Sequence, residues 1–248
     1  MNRLAVGEEP IIVFVAEAGD GSTDLFAVSA GGSTVHQLTY NRPAESHPAL
    51  SPDGSAVAFL RRPLRADSTG NEVTLMNLLS AAERQLPLPV GAGAVLRVAW
   101  TRDGEALVVR TTSGPWRIEA PPADPAPRAL GGAEAAQADT LLAVALGQPV
   151  FALVKPCDEG GLCVQTVSGE VEQLTPRGSG AFRWGADSVA WFEQERIEVR
   201  PLGPGLSRQV MWTRVPRNPR EATYAAASGP PRQPETGLVA PPRGSARQ

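Results

Sequence analysis

Few residues in this chain have the types and spacing that chemistry requires. The two histidines are His36 and His47, and the two cysteines are Cys157 and Cys163. A histidine-based metal site needs several convergent ligands, and these two histidines come with no matching thiolate pattern. The chain also lacks a G-x-S-x-G nucleophile elbow, a Walker loop and a dinucleotide fingerprint. The sequence therefore predicts no catalytic residue, no metal and no cofactor.

The two cysteines bracket the segment DEGGL, which is typical of a hairpin turn. Cysteines that face each other across paired strands have Cα separations that suit a disulfide. A disulfide between Cys157 and Cys163 would imply an oxidising compartment. Two free thiols are the alternative, whereas a zinc site would need further ligands.

Three aspartates recur at equivalent turns, in SPDGS (Asp53), TRDGE (Asp103) and GADS (Asp187). They resemble a carboxylate array, but Asp and Gly at a hairpin turn bind the local backbone and tolerate positive φ. Their recurrence therefore favours a structural role over catalysis.

The turns belong to a repeat. Short motifs of the type Gln-Leu-Thr recur at intervals of about 36 to 48 residues, with central apolar residues Leu38, Leu86, Leu130, Leu174 and Val210. Each turn precedes a short run rich in Val, Ile, Leu and Phe, and a third apolar segment follows, which is typical of strands. No window has a helical apolar period long enough to predict a helix. Five units of four short strands with this period indicate an all-β fold, a β-propeller.

The stretch HQLTYNRPAESHPALSPDGSAVAFL, from His36, resembles the WD40-like repeats of TolB-type propellers. The second copy, VAWTRDGEALVVR, keeps the pattern well, FRWGADSVAWF is a shortened copy, and the copies at Gly7 and Gly147 have drifted. The resemblance covers roughly residues 1–213 and implies the repeat type. TolB itself has six blades and an additional N-terminal α/β domain, neither of which is evident in this sequence, so a TolB role is not carried over.

We therefore expect a propeller of five four-stranded blades over residues 1–213, with residues 1–6 as the inner strand of the first blade. Six blades are the alternative, with a degenerate blade hidden in the tail. Trp100, Trp184, Phe59, Val108 and Trp191 are predicted to be buried between blades. Residues 214–248 contain many prolines and arginines and no apolar periodicity, so we predict an extended or disordered tail.

The long connections fall on one face of the predicted disc, and function in rigid scaffolds concentrates on such loops. We expect this face, together with the tail, to bind a protein partner. The candidate partner-binding residues are Tyr40, Arg42, Glu45, His47, Arg61, Arg62 and Arg65.

The formal net charge of −3 argues against a nucleic-acid binder, and no apolar run reaches transmembrane length. The leading hypothesis is a non-catalytic interaction scaffold or assembly subunit in the periplasm or cell envelope; a cytoplasmic protein is the alternative, because the N-terminus lacks a signal peptide. The alternative function is a hydrolase or lyase that acts on a glycan or peptide at the channel mouth, with Glu45, Glu134 and Asp139 as possible contributors.

Overall fold

The computed structural model describes residues 6, 8–32, 34–40, 42–64, 70–121, 125–145, 152–166, 169–185, 187–194, 196–201, 205–211 and 216–227. The described residues are mostly in β-strands, with one helix, which confirms the predicted all-β class. Among the described residues, no helix is long and apolar enough to span a membrane.

The elements follow one another in short steps along the chain. In chain order they are β1 (Ile11–Glu17), β2 (Thr23–Ser29), β3 (His36–Gln37), β4 (Glu45–Leu50), β5 (Ala56–Arg61), β6 (Glu72–Asn77), β7 (Glu83–Leu86), β8 (Val95–Trp100), β9 (Ala106–Thr111), β10 (Gly114–Glu119), β11 (Arg128–Ala129), α1 (Gly132–Ala145), β12 (Ala152–Pro156), β13 (Leu162–Thr166), β14 (Val171–Thr175), β15 (Ser179–Trp184), β16 (Ser188–Glu193), β17 (Arg196–Pro201), β18 (Arg208–Met211) and β19 (Arg217–Ala225).

Within the described residues these strands form five antiparallel sheets. The second sheet is β4-β5-β6-β7, the third is β8-β9-β10-β11 and the fifth is β15-β16-β17-β18, each in simple sequence order. The fourth sheet has three strands, β12-β13-β14. The stretch NEVTLMNLLSAAERQL forms β6 and β7 and the turn between them.

The first sheet is closed by the far end of the chain. Its order is β19-β1-β2-β3, and β19 pairs with β1 from Glu17↔Arg217 to Ile11↔Ala225. The expectation that residues 1–6 supply the inner strand is therefore wrong. Residues 217–225, which fall in the predicted tail, are an ordered strand; residues 228–248, including any sixth blade there, lie outside the described residues. Closure by a distant segment has a physical advantage, because opening the ring would break a backbone ladder.

The sheets pack face to face in sequence. Phe14 of the first sheet packs in one buried cluster with Phe182 and Phe192 of the fifth. Val13 packs with Phe59 of the second sheet, and other clusters join the second sheet to the third and the fourth sheet to the fifth. Four-stranded sheets stacked in this way around an axis define a β-propeller.

Four of the five predicted core residues, Phe59, Val108, Trp184 and Trp191, are buried. Trp100 is only partly buried. Its indole Nε1–H donates to the backbone oxygen of Ala49, 2.9 Å away in the second sheet. An indole that needs a hydrogen-bond partner and ends a strand is held at the edge of the core rather than inside it.

Helix α1 occupies the place in the chain where the repeat would put the innermost strand of the fourth sheet. The repeat predicts a strand at this place, and the expectation of no helix is wrong. Six of its fourteen residues are alanines, the strongest helix former. Ala138 and Leu142 are buried against Ala99 and Val108 of the third sheet, and α1 also contacts β15.

The connections divide between two sides of the propeller. The loop side carries the described residues of the connections from β1 to β2, β3 to β4, β5 to β6 and β7 to β8. The turn side carries the turns 51–55 and 101–105. Strand β19 ends on the turn side, where a Cβ built at Gly54 would lie 3.6 Å from the Cβ of Ala225. Strand β18 ends on the loop side, where Met211 pairs with Arg196. The chain thus enters the predicted tail beside the long connections, as expected, and β19 then carries it to the turn side.

Candidate functional site

A cavity of about 380 Å³ opens at the axis on the loop side, within the size range of ligand pockets. We call it the loop-side axial cavity. Four inner strands and α1 contribute to its wall. Its lining residues are His47, Pro48, Arg97, Val98, Leu142, Gly180, Ala181, Arg220, Glu221 and Ala222.

All four inner strands are irregular at the level of this cavity. The pairing register shifts between Ser46 and Ala49 in β4, between Val95 and Arg97 in β8 and between Ser179 and Phe182 in β15; β19 shifts on both sides of Arg220. Bulges bend a strand and re-aim its side chains, and they are common next to functional sites. Four bulges coincide at the level of this cavity, so regular strand pairing is interrupted around it.

Two non-glycine residues in the cavity wall have left-handed backbone conformations. His47 has φ 53° and Glu221 has φ 49°, and such conformations cost free energy for residues with a Cβ. The His47 backbone N–H donates to Glu221 Oε2 at 2.7 Å, and His47 Nδ1 lies 3.8 Å from the same oxygen. That ring nitrogen is buried and has no hydrogen-bond partner among the described residues.

Gly180 shows how tightly the wall is built. It has φ 59°, and a Cβ there would lie 2.7 Å from the Phe192 ring and 3.1 Å from the Cα of Arg220. A side chain would therefore push β15 away from β19. The glycine allows the inner strands to approach each other at the cavity.

The charged side chains of the cavity are mainly basic. Arg97 and Arg220 are exposed, and neither has an ion-pair partner within the described part of the chain. Glu221 is the one acidic residue in the lining. Two guanidinium groups in the wall of a cavity suit a carboxylate or another oxyanion, because each guanidinium can bind it through two hydrogen bonds.

A second cavity, of about 340 Å³, lies at the turn-side end of the axis. We call it the turn-side axial cavity. Arg102 and Arg183 are its charged lining residues, and Tyr224, Ala225 and Ala226 contribute from β19 and the residue that follows. Arg183 Nε–H donates to the backbone oxygen of Gly185 at 2.8 Å. Both ends of the axis are therefore positively charged.

The predicted partner-binding residues are not equally accessible. Tyr40 is 77% exposed, and Arg42 and Arg62 are exposed on the loop side. His47 lines the loop-side axial cavity. Arg65 lies outside the described residues.

Arg61 and Glu45 are instead engaged with each other in a partly buried network. Arg61 donates to Glu45 Oε1 at 2.6 Å and to Glu83 Oε2 at 2.6 Å, and the Thr39 hydroxyl donates to Glu45 Oε2. The Glu45 side chain is fully buried. Burial raises the pKa of its carboxyl above the usual value, although Thr39 and Arg61 act in the opposite direction. Glu45 therefore has no surface to offer a partner, and Arg61 acts first as its counter-ion.

The other two carboxylates considered for catalysis belong to α1 and pair with separate arginines. Glu134 accepts from Arg128 at 2.8 Å, and Asp139 accepts from Arg110 at 2.7 Å. Both carboxylates are exposed, and neither lines the loop-side axial cavity. Each of the three carboxylates thus has its own arginine partner.

The recurrent aspartates hold turns. Asp53 accepts from the Ser51 hydroxyl at 2.5 Å and from the Ser55 backbone N–H at 3.1 Å. Asp103 repeats this arrangement with the Thr101 hydroxyl and the Glu105 N–H. The contacts fit the predicted structural role, and Asp187 contacts Ser188 in its own turn.

Cys157 and Cys163 are joined by a disulfide across the β12–β13 hairpin, with their Cα atoms 5.2 Å apart. The Cys157 N–H also donates to the Gly161 oxygen at 3.2 Å. The bond therefore closes a hairpin that already has a backbone hydrogen bond.

Sequence reasoning identified His47 as a candidate partner-binding residue but missed Arg97, Arg220 and Glu221. Arg97 occupies the place in β8 that His47 occupies in β4, two residues into the inner strand. Alignment of the repeats on their Asp turns would have revealed this equivalence. Nothing local indicates that Arg220 joins them, because its position depends on the closure of the ring.

No protein-family model and no curated protein matches the chain. Among solved structures, TolB from Acinetobacter baumannii is 14% identical, with a TM-score of 0.41 over 87% of this chain and 66% of that one. A TolB from Agrobacterium tumefaciens is 14% identical, with a TM-score of 0.34 over 80% of this chain and 60% of that one. The isopeptidase AtxE2 is 10% identical, with a TM-score of 0.40 over 84% of this chain and 47% of that one.

The predicted resemblance to TolB-type propellers is thus confirmed at the level of structural neighbours. The chain spans less than two thirds of each of these three proteins. At such identities and TM-scores the likeness carries no argument about function, and the neighbours include both TolB and an isopeptidase. The propeller assignment follows from the sheet order, the closing strand and the clusters between the sheets.

Proposed function

We propose that this protein is a non-catalytic β-propeller that binds a protein partner by receiving an acidic segment of it in the loop-side axial cavity. The proposal is carried by Arg97 and Arg220, which have no ion-pair partner among the described residues and lie in a wall where four inner strands bulge at one level. His47 adds a buried ring nitrogen without a hydrogen-bond partner among the described residues, and such a group calls for an explanation. A ligand oxygen or N–H at this point would satisfy it.

The surrounding loop side would enlarge the contact. Tyr40, Arg42 and Arg62 are exposed there, and aromatic and arginine side chains are enriched in protein interfaces. Leu64 and Val90 add exposed apolar surface on the same side. The protein would serve as a scaffold or as a subunit of a larger assembly.

A catalytic role at the channel mouth has less support. Glutamate or aspartate pairs in glycoside hydrolysis flank the same bond, whereas Glu45, Glu134 and Asp139 each pair with a different arginine. Two of these arginines, Arg110 and Arg128, hold α1 to the third sheet. The carboxylates are thus explained by structure without a reaction.

We further propose that the protein works in the periplasm or elsewhere in the cell envelope. The disulfide between Cys157 and Cys163 supports this location, because disulfides persist in oxidising compartments and are rare in the cytosol. A cytoplasmic location would require both sulfurs to be thiols in the cell.

The test uses a fluorescein-labelled hexaglutamate peptide and fluorescence anisotropy. Arg97→Gln/Arg220→Gln should weaken binding about tenfold or more, since a hydrogen bond to a charged group contributes about 1.5–3 kcal/mol. Arg102→Gln is the matched control, an exposed arginine at the opposite end of the axis, and should bind as the unmodified protein does. Binding should weaken with salt, and labelled hexalysine should not bind.

Equal binding by all three proteins would contradict the axial site. To identify the native partner, affinity capture from the source organism can be run with the unmodified protein and the Arg97/Arg220 variant in parallel. A protein retained by the first and lost by the second is the expected result.

A further inference from the structure

The loop-side axial cavity has its polar and its apolar lining residues at different depths. Strands β4, β8 and β19 run from the loop side to the turn side, so each residue along them lies about 3.3 Å deeper than the one before it. On all three strands a polar lining residue comes first and a buried apolar one follows. The pairs are His47 and Pro48, Arg97 and Val98, and Glu221 and Ala222.

The deeper part of the cavity, which we call the cavity floor, is apolar. It consists of Pro48, Val98, Leu142 and Ala222, all of which are buried. Arg97 and Arg220 are exposed instead, so their charges lie at the entrance. A carboxylate on the floor would lose its water without gaining a charged partner, which costs free energy, whereas an apolar side chain gains free energy there by burial.

The side chain of an internal glutamate has these two groups in the wrong order. If it entered the cavity first, its carboxylate would reach the floor and its methylene groups would lie at the entrance. The last residue of a peptide fits better, because its carboxylate and its side chain leave the same Cα atom. The carboxylate can stay at the entrance with Arg97 and Arg220 while an apolar side chain reaches the floor.

Glu221 gives such a ligand a further contact. Its Oε2 accepts from the His47 backbone N–H at 2.7 Å, and its Oε1 accepts no hydrogen bond among the described residues. This oxygen can accept the backbone N–H of the last peptide residue, which explains why a single acidic side chain lies in a basic cavity. The volume of about 380 Å³ is near the lower end of the range for ligand pockets, about 300–1,000 Å³, and suits the end of a chain rather than a folded element.

We propose that the acidic segment bound by this cavity is the C-terminus of the partner, and that its last residue is apolar. The terminal carboxylate binds Arg97 and Arg220, and the last side chain packs on Val98 and Leu142. Capture of a C-terminal carboxylate is a recurring mode of peptide recognition. The inference rests on the proposed function, because it assigns the ligand group that the same two arginines bind.

Fluorescence anisotropy with peptides labelled at the N-terminus tests the assignment. The reference peptide is Glu-Glu-Gly-Ser-Gly-Leu with a free C-terminal carboxylate. Glu-Glu-Glu-Ser-Gly-Leu amide has the same charge and the same last side chain but no terminal carboxylate, and should bind about tenfold more weakly. The free acid Glu-Glu-Gly-Ser-Gly-Ser keeps the carboxylate but leaves the floor unfilled, and should also bind about tenfold more weakly.

Protein variants show where the carboxylate binds. Arg97→Gln/Arg220→Gln should remove the difference between the reference peptide and the charge-matched amide. Arg102→Gln, at the opposite end of the axis, is the matched control and should keep the full difference. Hexanoate carries a carboxylate and an apolar group without a peptide, and should compete more weakly than the unlabelled reference peptide.

The outcomes separate this inference from the proposed function. Equal binding of the reference peptide and the amide, while hexaglutamate still requires Arg97 and Arg220, would overturn the C-terminal assignment and leave the proposed function in place. Competition by hexanoate as strong as that by the reference peptide would overturn it in favour of a small carboxylic acid. Binding of hexaglutamate that does not depend on the two arginines would overturn the proposed function and this inference together.

Discussion

Glu193 is a side chain that joins two sheets. Its Oε2 accepts from the buried Trp191 indole at 3.1 Å in the same strand and from the Thr175 hydroxyl at 2.8 Å in the fourth sheet. The fourth sheet also joins the fifth through the exposed pair of Glu172 with Arg200, at 3.2 Å, and through the apolar cluster that contains Leu162 and Trp191. Glu193 is the carboxylate of this contact that accepts from both sheets.

Glu193→Gln should lower the free energy of unfolding by about 1 kcal/mol at pH 7, since the charge-assisted bonds become neutral ones. The Trp191 N–H and the Thr175 hydroxyl lower the pKa of this carboxyl below its usual 4.5. A lowered folded-state pKa stabilises the fold above the unfolded value, and that stabilisation is lost as the pH falls through the folded value. The difference between the two proteins should therefore be full above about pH 5 and shrink at lower pH. Urea unfolding at several pH values measures it, with the exposed Glu159→Gln as the control.

The disulfide between Cys157 and Cys163 predicts that the protein works in an oxidising compartment. Protein isolated from its source with thiols blocked should gain the mass of two hydrogens on reduction. Cys157→Ser/Cys163→Ser should cost about 2 kcal/mol, as expected for a short closed loop. Intact mass spectrometry and denaturant unfolding provide the two measurements. Free thiols in freshly isolated protein would place it in a reducing compartment.

At the scale of elements, α1 takes the position of an inner strand. It covers the face of the third sheet that a neighbouring inner strand would otherwise cover, and Leu142 lines the loop-side axial cavity as inner-strand residues do. A helix makes no ladder hydrogen bonds, so α1 is attached to the third sheet by side-chain packing and by the ion pairs Arg110–Asp139 and Arg128–Glu134. Because exposed ion pairs contribute little stability, the buried side chains of Ala138 and Leu142 make the main contribution.

Leu142→Ala should destabilise the protein by about 2–5 kcal/mol, because it removes a buried side chain and leaves a cavity. Gln137→Ala, an exposed position on the same helix, is the control and should change stability little. Thermal and denaturant unfolding check both. A loss in the control equal to that in Leu142→Ala would contradict the packing role of Leu142, because Gln137→Ala removes no buried side chain and does not lower helix propensity.

The pairing of β19 with β1 predicts that two truncated chains differ sharply in their thermal unfolding midpoints. A chain that ends at residue 227 keeps the strand and should unfold at the unmodified midpoint. A chain that ends at residue 213 loses β19, which pairs with β1 along the whole inner edge of that strand, together with the buried Ala222 and Ala225. We expect its midpoint to fall by about 10 °C or more, since each kcal/mol shifts it by about 2–4 °C in a domain of this size. Equal midpoints would mean that β19 does not hold the ring closed.

Local patterns predicted the second, third and fifth sheets because each is built from neighbouring segments with strong turn signals, such as those at Asp53 and Asp103. They failed at α1, where the repeat places a strand and the alanine content favours a helix. They failed again at β19, whose proline-rich sequence reads as a tail. Pro216 and Pro219 flank the start of that strand, and only its pairing with β1, some two hundred residues earlier, makes it a strand.

The candidate site was predicted only in part for the same reason. His47 belongs to a recognisable repeat and could be placed near the channel. Arg97 and Arg220 meet it only because β8 and β19 are both inner strands, which is a property of the closed ring. Conversely, Arg61 and Glu45 are close in sequence to exposed loops, yet β4–β5 pairing places them opposite each other and commits them to a buried ion pair.

The whole molecule has two surfaces, at the two ends of its inner strands. The loop side has the long connections, exposed Tyr40 and the loop-side axial cavity, and the turn side has the turn-side axial cavity, where β19 ends. Inner strands run from the loop side to the turn side, so each of them offers one end to each surface. A partner on the loop side would therefore leave the turn side uncovered.

This separation predicts that deletion of residues 228–248 leaves the binding of hexaglutamate unchanged within about twofold. Residues 228–248 follow the turn-side end of β19, and their arginines would be repelled by Arg97 and Arg220 rather than drawn to them. Anisotropy titrations of the full and truncated chains at two salt concentrations measure the effect, with Arg97→Gln/Arg220→Gln as the variant that must lose affinity. Weaker binding after the deletion would show that tail and loop side hold the ligand jointly. Stronger binding would show that the tail reaches the axis and shields it, because the intact chain would then contain its own competitor for the cavity.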